Sequence, residues 1–542
     1  YLIPINKIYL YLKDIYEVLL TDLSGQLNDL HNVNHSVRYW RILIGPWLGY
    51  FIQMLFDRWT MLQRAVDNYE IIGVKVISYN GYGHIPNDMN DFTRLFVNDE
   101  WNEWIWGELL SLTDISIEWV ERTVNRHPLP SQATDKKSYK HRLEKAFRLV
   151  ADRIFSVTST RRDYFFISTY LPIKQRILLQ LKLGQLPKLW GFVPAPIVAP
   201  NFEARKQQTN MACDINDFPS IASAMLLRHI PTTYCEGYQN LIALTRQLPW
   251  PKNPKAIFTS NSYSSDDVFK AWAAGKVESG APLVIGQHGG NFGMALWGFS
   301  EDHQITIADK FLTWGWTIAN QQKIIPVGSI KTLGKSQSRD KNGGALLVEM
   351  AIPRCSYYMF SIPVAGQWLS YFEDQCRFVE SLSPELRNHL LVRLFSQDYG
   401  WCQKQRWQDR YPLVHLDDGS VPIASLISKS RLYISTYNAT TYLESLSLNV
   451  PTIIFWNTEH WEIREPAKPF FEKLKSVGIF HETPESAGQQ MMKVWDDVDA
   501  WWLSEETQGA RRDFCNVYAH VSEQPLALLT KVLPDIAGAS SV

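Results

Sequence analysis

The sequence predicts two consecutive doubly wound α/β domains behind a helical N-terminal region. Three observations carry this. The chain has 542 residues, more than one hydrophobic core usually supports. Short apolar runs rich in branched and aromatic residues recur with helix-like stretches near them, the pattern of buried parallel strands joined by crossover helices. The stretch KTLGKSQSRDKNGG at 331–344 is polar, glycine-bearing and aperiodic, which marks a linker. The expected division is residues 1–335, of which 1–70 are largely helical, and residues 341–542.

Residues 1–70 carry apolar side chains at three- and four-residue spacing without strand-like alternation. The most membrane-like piece, YWRILIGPWLGYFIQMLF at 39–56, is too short and too interrupted by Arg41, Gly-Pro and Gln53 to span a bilayer, so a packed helix pair is expected. Strands follow at 71–78, 163–168, 256–260 and 282–286. Residues 255–286 form the clearest unit: strand, a Ser-Asn-Ser turn, a helix over 265–277, strand again. Beyond the linker come strands at 345–350, 390–395, 431–436 and 451–455. Helices are expected at 366–381, 439–448, 466–476 and 484–503.

Lys plus Arg number 54 and Asp plus Glu 55, so the net charge of −1 offers no basic field for a nucleic-acid backbone. Six scattered cysteines (Cys213, Cys235, Cys355, Cys376, Cys402, Cys515) without a C-x-x-C pair suit reduced thiols in a cytoplasmic protein, with neither disulfide nor zinc site. The chain begins at Tyr1 and shows no signal peptide. Its 21 tryptophans, as in Trp101, Trp104 and Trp106, are expected mainly to fill the core.

In open parallel sheets ligands bind beyond the carboxyl ends of strands, so strand-to-helix loops are where chemistry is sought. The first is VIGQHGGNFG at 284–293. Gly289 and Gly290 allow close approach of the backbone, Gln287 and Asn291 support the loop, and His288 offers a proton acceptor or, protonated, a phosphate contact. The pattern matches neither common nucleotide fingerprint, so an ordinary turn histidine stays open. The second is STYNATTYLE at 435–444. Asn438 or Thr436 is placed to cap a helix whose first amides, with Thr440 and Thr441, suit a phosphate, and Glu444 suits a ribose diol. Capping and a surface glutamate are the plain alternatives. Arg354 and Arg393, in or beside apolar strands, need an anion, either a ligand phosphate or a structural Asp. Glu301, Asp302 and His303 are a candidate acid/base group, Asp214, Asp217 and Glu236 weaker ones.

The segments LNDLHNVNHSVRYWRILIGPWL (27–48), IGQHGGNFG followed by DKFLTWGW (309–316), and YNATTYLESLSLNVPTIIFWN (437–457) resemble transferases of bacterial O-antigen and surface-polysaccharide gene clusters. More loosely, the QHG turn and the Ser/Thr-rich strand end resemble capsule Kdo transferases and CDP-glycerol polymerases, with HGGNFG and YNATTYLE departing from their patterns. The resemblance implies a GT-B-like fold, two Rossmann-like domains facing a cleft, with the nucleotide held by the later one. It implies a glycosyltransferase that needs no metal or other cofactor, acting on a nucleotide-sugar donor, CMP-Kdo or a related ulosonic acid, and on a glycan or lipid-linked glycan acceptor. It implies a cytoplasmic protein with peripheral association at the inner membrane face. In that reading His288 acts at the reacting centre with Glu301, Asp302 or His303 behind it, and Asn438, Thr440, Thr441, Glu444, Arg354 and Arg393 hold the donor. A polyol-phosphate transferase and a non-catalytic scaffold of polysaccharide assembly are the alternatives.

Overall fold

The computed structural model describes residues 4–79, 84–122, 163–207, 217–333, 335–354, 359 and 362–539. Cys213, Cys355 and Asp214 lie outside them. The N-terminal region is two long helices, Ile5–His31 and Val37–Asn68, packed on each other. Ser36 caps the second, its hydroxyl accepting from the Tyr39 amide at 3.2 Å. The piece expected as a helix pair is one continuous helix with Pro46 inside it. Nearly every side chain from 42 to 56 is buried, and that packing outweighs the backbone bond Pro46 cannot make.

β1 (Val74–Tyr79) pairs in parallel with β2 (Ile117–Arg122) as a separate two-stranded sheet. The run at 71–78 therefore stands outside the sheet in which it was expected. Lys75 pairs with Glu118 at 3.1 Å on an exposed face, and only one side of such a strand is apolar enough to be buried.

The first large sheet holds β3 (Phe165–Ile167), β4 (Ile257–Thr259), β5 (Leu283–Gly286), β6 (Lys310–Thr313) and β7 (Ile324–Pro326), all parallel and in chain order. Alternate residues serve two cores. Phe165, Ile257, Leu283 and Phe311 join the larger core, while Phe166, Phe258, Val284 and Leu312 meet Leu529 and Leu533 of the last helix, Pro525–Ala539. A sheet wound in one direction by right-handed crossovers collects those helices on one face. The end of the chain returns to cover the other, although by sequence it falls with residues 341–542.

The second large sheet holds β8 (Gly344–Val348), β9 (Leu390–Arg393), β10 (His415–Asp417), β11 (Ser430–Ser435), β12 (Thr452–Phe455) and β13 (Phe480–His481), all parallel, in the order β10-β9-β8-β11-β12-β13. The chain starts at the centre, steps outward, then returns to the other side of β8. Winding reverses between β8 and β11, and the crevice outside their carboxyl ends is the place where such sheets bind ligands. The expected helices appear as Trp368–Ser381, Thr440–Ser447 and Lys468–Ser476. The stretch 484–503 is two helices, Pro484–Val494 and Val498–Trp502, because Asp497 leaves helical geometry and caps the second through the Ala500 amide at 2.9 Å. Tryptophans 40, 47, 101, 314, 368 and 407 are fully buried, as core filling requires, with Trp104 and Trp106 partly so. Cys235, Cys376, Cys402 and Cys515 are free thiols.

Candidate functional site

The two sheets meet where the loop after β5 touches the loop after β11. Gln287 fixes the first loop from within: its Oε1 accepts from the Trp314 amide at 3.0 Å and from Trp316 Nε1 at 2.9 Å, while its carbonyl accepts from Trp314 Nε1 at 2.9 Å. The chain then turns through Gly289 (φ 151°) and Gly290 (φ 81°), and the Gly290 amide donates to Thr440 Oγ1 at 2.7 Å. A β-carbon at residue 289 would collide with that threonine. The Asn291 carbonyl closes the following turn, accepting from Ala295 N at 2.9 Å.

His288 stands at this junction among three rings, Tyr170, Tyr263 and Phe292, at centroid distances of 6.5, 6.4 and 5.5 Å. Burial, with the Lys331 ammonium as a second cause, pushes its pKa down to about 4. The imidazole is therefore neutral near pH 7, and its Nδ1 is buried without a hydrogen-bond partner. A neutral imidazole is suited to take a proton from a hydroxyl, and Nδ1 is not the nitrogen that solvent reaches.

Across from it the helix Thr440–Ser447 begins with no side-chain cap. Thr436 and Asn438, expected to cap it, do other things. Thr436 Oγ1 donates to the Val348 carbonyl at 2.9 Å and so ties β11 to β8. Asn438 Oδ1 accepts from Tyr442 at 3.0 Å, which leaves its buried Nδ2 as a donor with no partner. Thr441 donates to Tyr437 at 2.9 Å. Glu444 pairs with Lys331 at 2.8 Å, and Lys331 Nζ sits 5.9 Å from the centre of the Tyr170 ring. Free helix amides, an orphan amide donor and a lysine make this end of the junction suited to an anion.

Other expected site residues lie elsewhere. Arg354 pairs with Asp99 of the helix Asp99–Leu110. Arg393 pairs with Asp417 at 3.4 Å and donates to the carbonyls of Val421 and Gly419 at 2.6 and 3.1 Å, the structural partnership. Glu301, Asp302 and His303 sit on a helix, Phe299–Ile307, rather than in a loop. Consecutive helical residues point about 100° apart, so the three diverge. Glu301 accepts from the Gly293 amide at 2.8 Å and pairs with Arg464 at 3.0 Å, which braces the glycine loop from behind. Asp302 faces the first helix, accepting from Tyr9 and from Lys13 at 2.5 Å. His303 is buried with both ring nitrogens unpartnered, and burial pushes its pKa down to about 3. Asp217 caps the helix Phe218–His229, and Glu236 pairs with Arg205 at 2.6 Å. Among the described residues no group of three or more His, Cys, Asp or Glu is placed to hold a metal ion.

Lys331, Tyr170 and Arg464 join the junction without having stood out in the sequence. Lys331 lies in the polar stretch 331–344 that reads as a linker, and single lysines there have no distinguishing pattern. Glu349 is another. It follows β8 at the winding reversal, 3 % exposed, with Oε1 accepting from Trp407 Nε1 at 2.7 Å. Burial raises its pKa to about 8, so it carries a proton near neutrality. Because the folded value lies above the unfolded one, its contribution to stability is complete below about pH 4 and is lost as pH rises through about 8. Glu349→Gln, neutral at every pH, should therefore gain on the parent by about 1.4 kcal/mol per pH unit between about pH 5 and 8. Urea unfolding of both chains at the two ends of that range measures this, and a gap independent of pH would contradict it.

The model of the LIC12162 family transferases matches residues 4–533. The chain belongs to this family. It is accordingly a transferase. Among curated proteins nothing matches it. Among solved structures, the wall teichoic acid polymerase TagF aligns at 10% identity and a TM-score of 0.27, over 48% of this chain and 69% of that one. The pneumococcal O-GlcNAc transferase GtfA aligns at 10% and 0.34, over 55% and 59%, and Acinetobacter baumannii MurG at 13% and 0.32, over 55% and 78%. Likenesses this distant carry no argument about the chemistry of the transferase.

Proposed function

We propose that this transferase moves a sugar from a nucleotide-activated donor to the hydroxyl of a surface-glycan acceptor, working at the cytoplasmic face of the membrane. One observation carries the reading: the His288 loop meets the uncapped start of helix Thr440–Ser447 beside the winding reversal, so a proton acceptor and an anion site adjoin. The donor phosphates take the free amides, Asn438 Nδ2 and Lys331, whose partner Glu444 is then released to a ribose hydroxyl. Arg393 serves the fold rather than the donor, and Arg354, in an exposed pair with Asp99, is given no part in holding the donor. His288 accepts the proton of the attacking hydroxyl, and the helix dipole with Lys331 offsets the charge that grows on the leaving phosphate. The preferred donor is a CMP-activated ulosonic acid such as CMP-Kdo, which rests on the resemblance of the QHG and STYNATT segments.

Thermal shift over CMP, CDP, UDP, GDP and dTDP tests this. CMP at one hundred times its Kd should stabilise the chain by about 2.7 kcal/mol. Selective response to CDP would favour polyol-phosphate transfer, and no response to any nucleotide would favour the scaffold reading.

A further inference from the structure

From residue 164 to 202 the chain contains no Asp or Glu and four basic residues, Lys174, Arg176, Lys182 and Lys188. This segment is built with its polarity reversed. After the helix Ile173–Lys182, the polar side chains turn inward. Gln185 exchanges hydrogen bonds with the Tyr164 backbone at 2.7 and 3.0 Å, and Lys188, 1 % exposed, pairs with buried Asp163. These bonds hold the loop in one shape. Trp190 is buried against Phe165, but two large apolar side chains are left outside: Leu186 is 59 % and Phe192 58 % exposed. On the helix itself Leu178 and Leu181 are exposed on the same side as Lys174 and Lys182.

A segment that exposes apolar side chains beside lysines and has no acidic residue of its own is complementary to an interface that is apolar below and anionic above. Among the described residues no helix is long and apolar enough to cross a membrane, so contact here would be from one side. The segment is joined to the site through the chain, since Ile173 follows three residues after Tyr170, the ring beside His288 and Lys331. We infer that residues 173–192 form a docking surface for an anionic phospholipid bilayer, on which Leu178, Leu181, Leu186 and Phe192 enter the interface and Lys174 and Lys182 meet the head groups. The site would thereby be held against an acceptor carried on a lipid.

The surface is tested without nucleotide or acceptor, so failure here would leave the transfer reading standing. The full chain is sedimented with vesicles of phosphatidylcholine alone and of phosphatidylcholine mixed with phosphatidylglycerol. Binding to the anionic vesicles is expected to exceed binding to the neutral ones by about tenfold. Leu186→Asp/Phe192→Asp and, separately, Lys174→Glu/Lys182→Glu should each lower the bound fraction by about tenfold or more at unchanged melting temperature, while Leu413→Asp, at an exposed leucine in the other half, should bind like the parent. The inference is overturned if anionic lipid confers no preference or if both double variants bind as the parent does. It is equally overturned if the chain self-associates without lipid and Leu186→Asp/Phe192→Asp abolishes that, because a second copy would then be the occupant.

Discussion

Replacing His288 by alanine is expected to lower transfer by about 10²–10⁴-fold, the range for loss of a positioned general base, while nucleotide binding changes by no more than a few-fold. The size follows from how the ring is kept. Tyr170, Tyr263 and Phe292 pack around it and shield it in part from water, and burial with Lys331 holds it neutral. The acid side of the rate profile should fall as pH drops through about 4, where the imidazole gains a proton and can no longer accept one. Nucleotide affinity should be spared because the anion site is built from the opposite wall, Thr440–Ser447 with Asn438, and from Lys331. Single-turnover transfer and thermal shift on the same preparation check both halves. An unchanged rate would remove His288 from the chemistry, and an equal loss of nucleotide binding would make it a donor contact instead.

Much of this site could be read from the chain because two loops announce themselves locally. VIG runs into a polar pair and glycines, STYNATT follows an apolar strand, and each signature lies within a few residues. What could not be read depends on partners far away in sequence. Arg354 and Arg393 each called for an anion that the sequence could not name, a ligand phosphate or an Asp, until Asp99 lay beside the first and Asp417 with the 419 and 421 carbonyls beside the second. EDH at 301–303 looks like one polar group in a string of letters, but the helix turns its members toward three different neighbours. β13 has only two residues, too few for a period to show, and the destination of the last helix follows from the one-way winding of a sheet that ends two hundred residues earlier in the chain.

Arg464→Ala is expected to destabilise the chain by up to about 3–5 kcal/mol, the cost of leaving the buried Glu301 carboxylate without its partly exposed partner. Arg464 comes from the second half and reaches into the first. Its side chain pairs with Glu301 at 3.0 Å and donates to the Ala295 carbonyl at 2.8 Å, and its amide donates to the Met294 carbonyl at 2.8 Å, where Ala295 and Ile463 form an antiparallel bridge. Glu301 is 3 % exposed, and burial already raises its pKa. Without the guanidinium that rise would grow, so the deficit should deepen as pH increases. Glu301→Gln keeps an oxygen for the Gly293 amide and removes the stranded charge. Arg464→Ala/Glu301→Gln should therefore recover about 2 kcal/mol of the single variant's loss, a coupling that urea unfolding around the double-mutant cycle measures directly. A loss below about 0.5 kcal/mol for Arg464→Ala would mean that the pair does not fasten the halves together. If the pair does so, the consequence reaches the chemistry. Gly293 ends the turn that begins at His288, so loosening Glu301 should also lower transfer at temperatures where the variant remains folded, and Arg464→Ala/Glu301→Gln, which keeps the Gly293 contact without the stranded charge, should regain part of that rate.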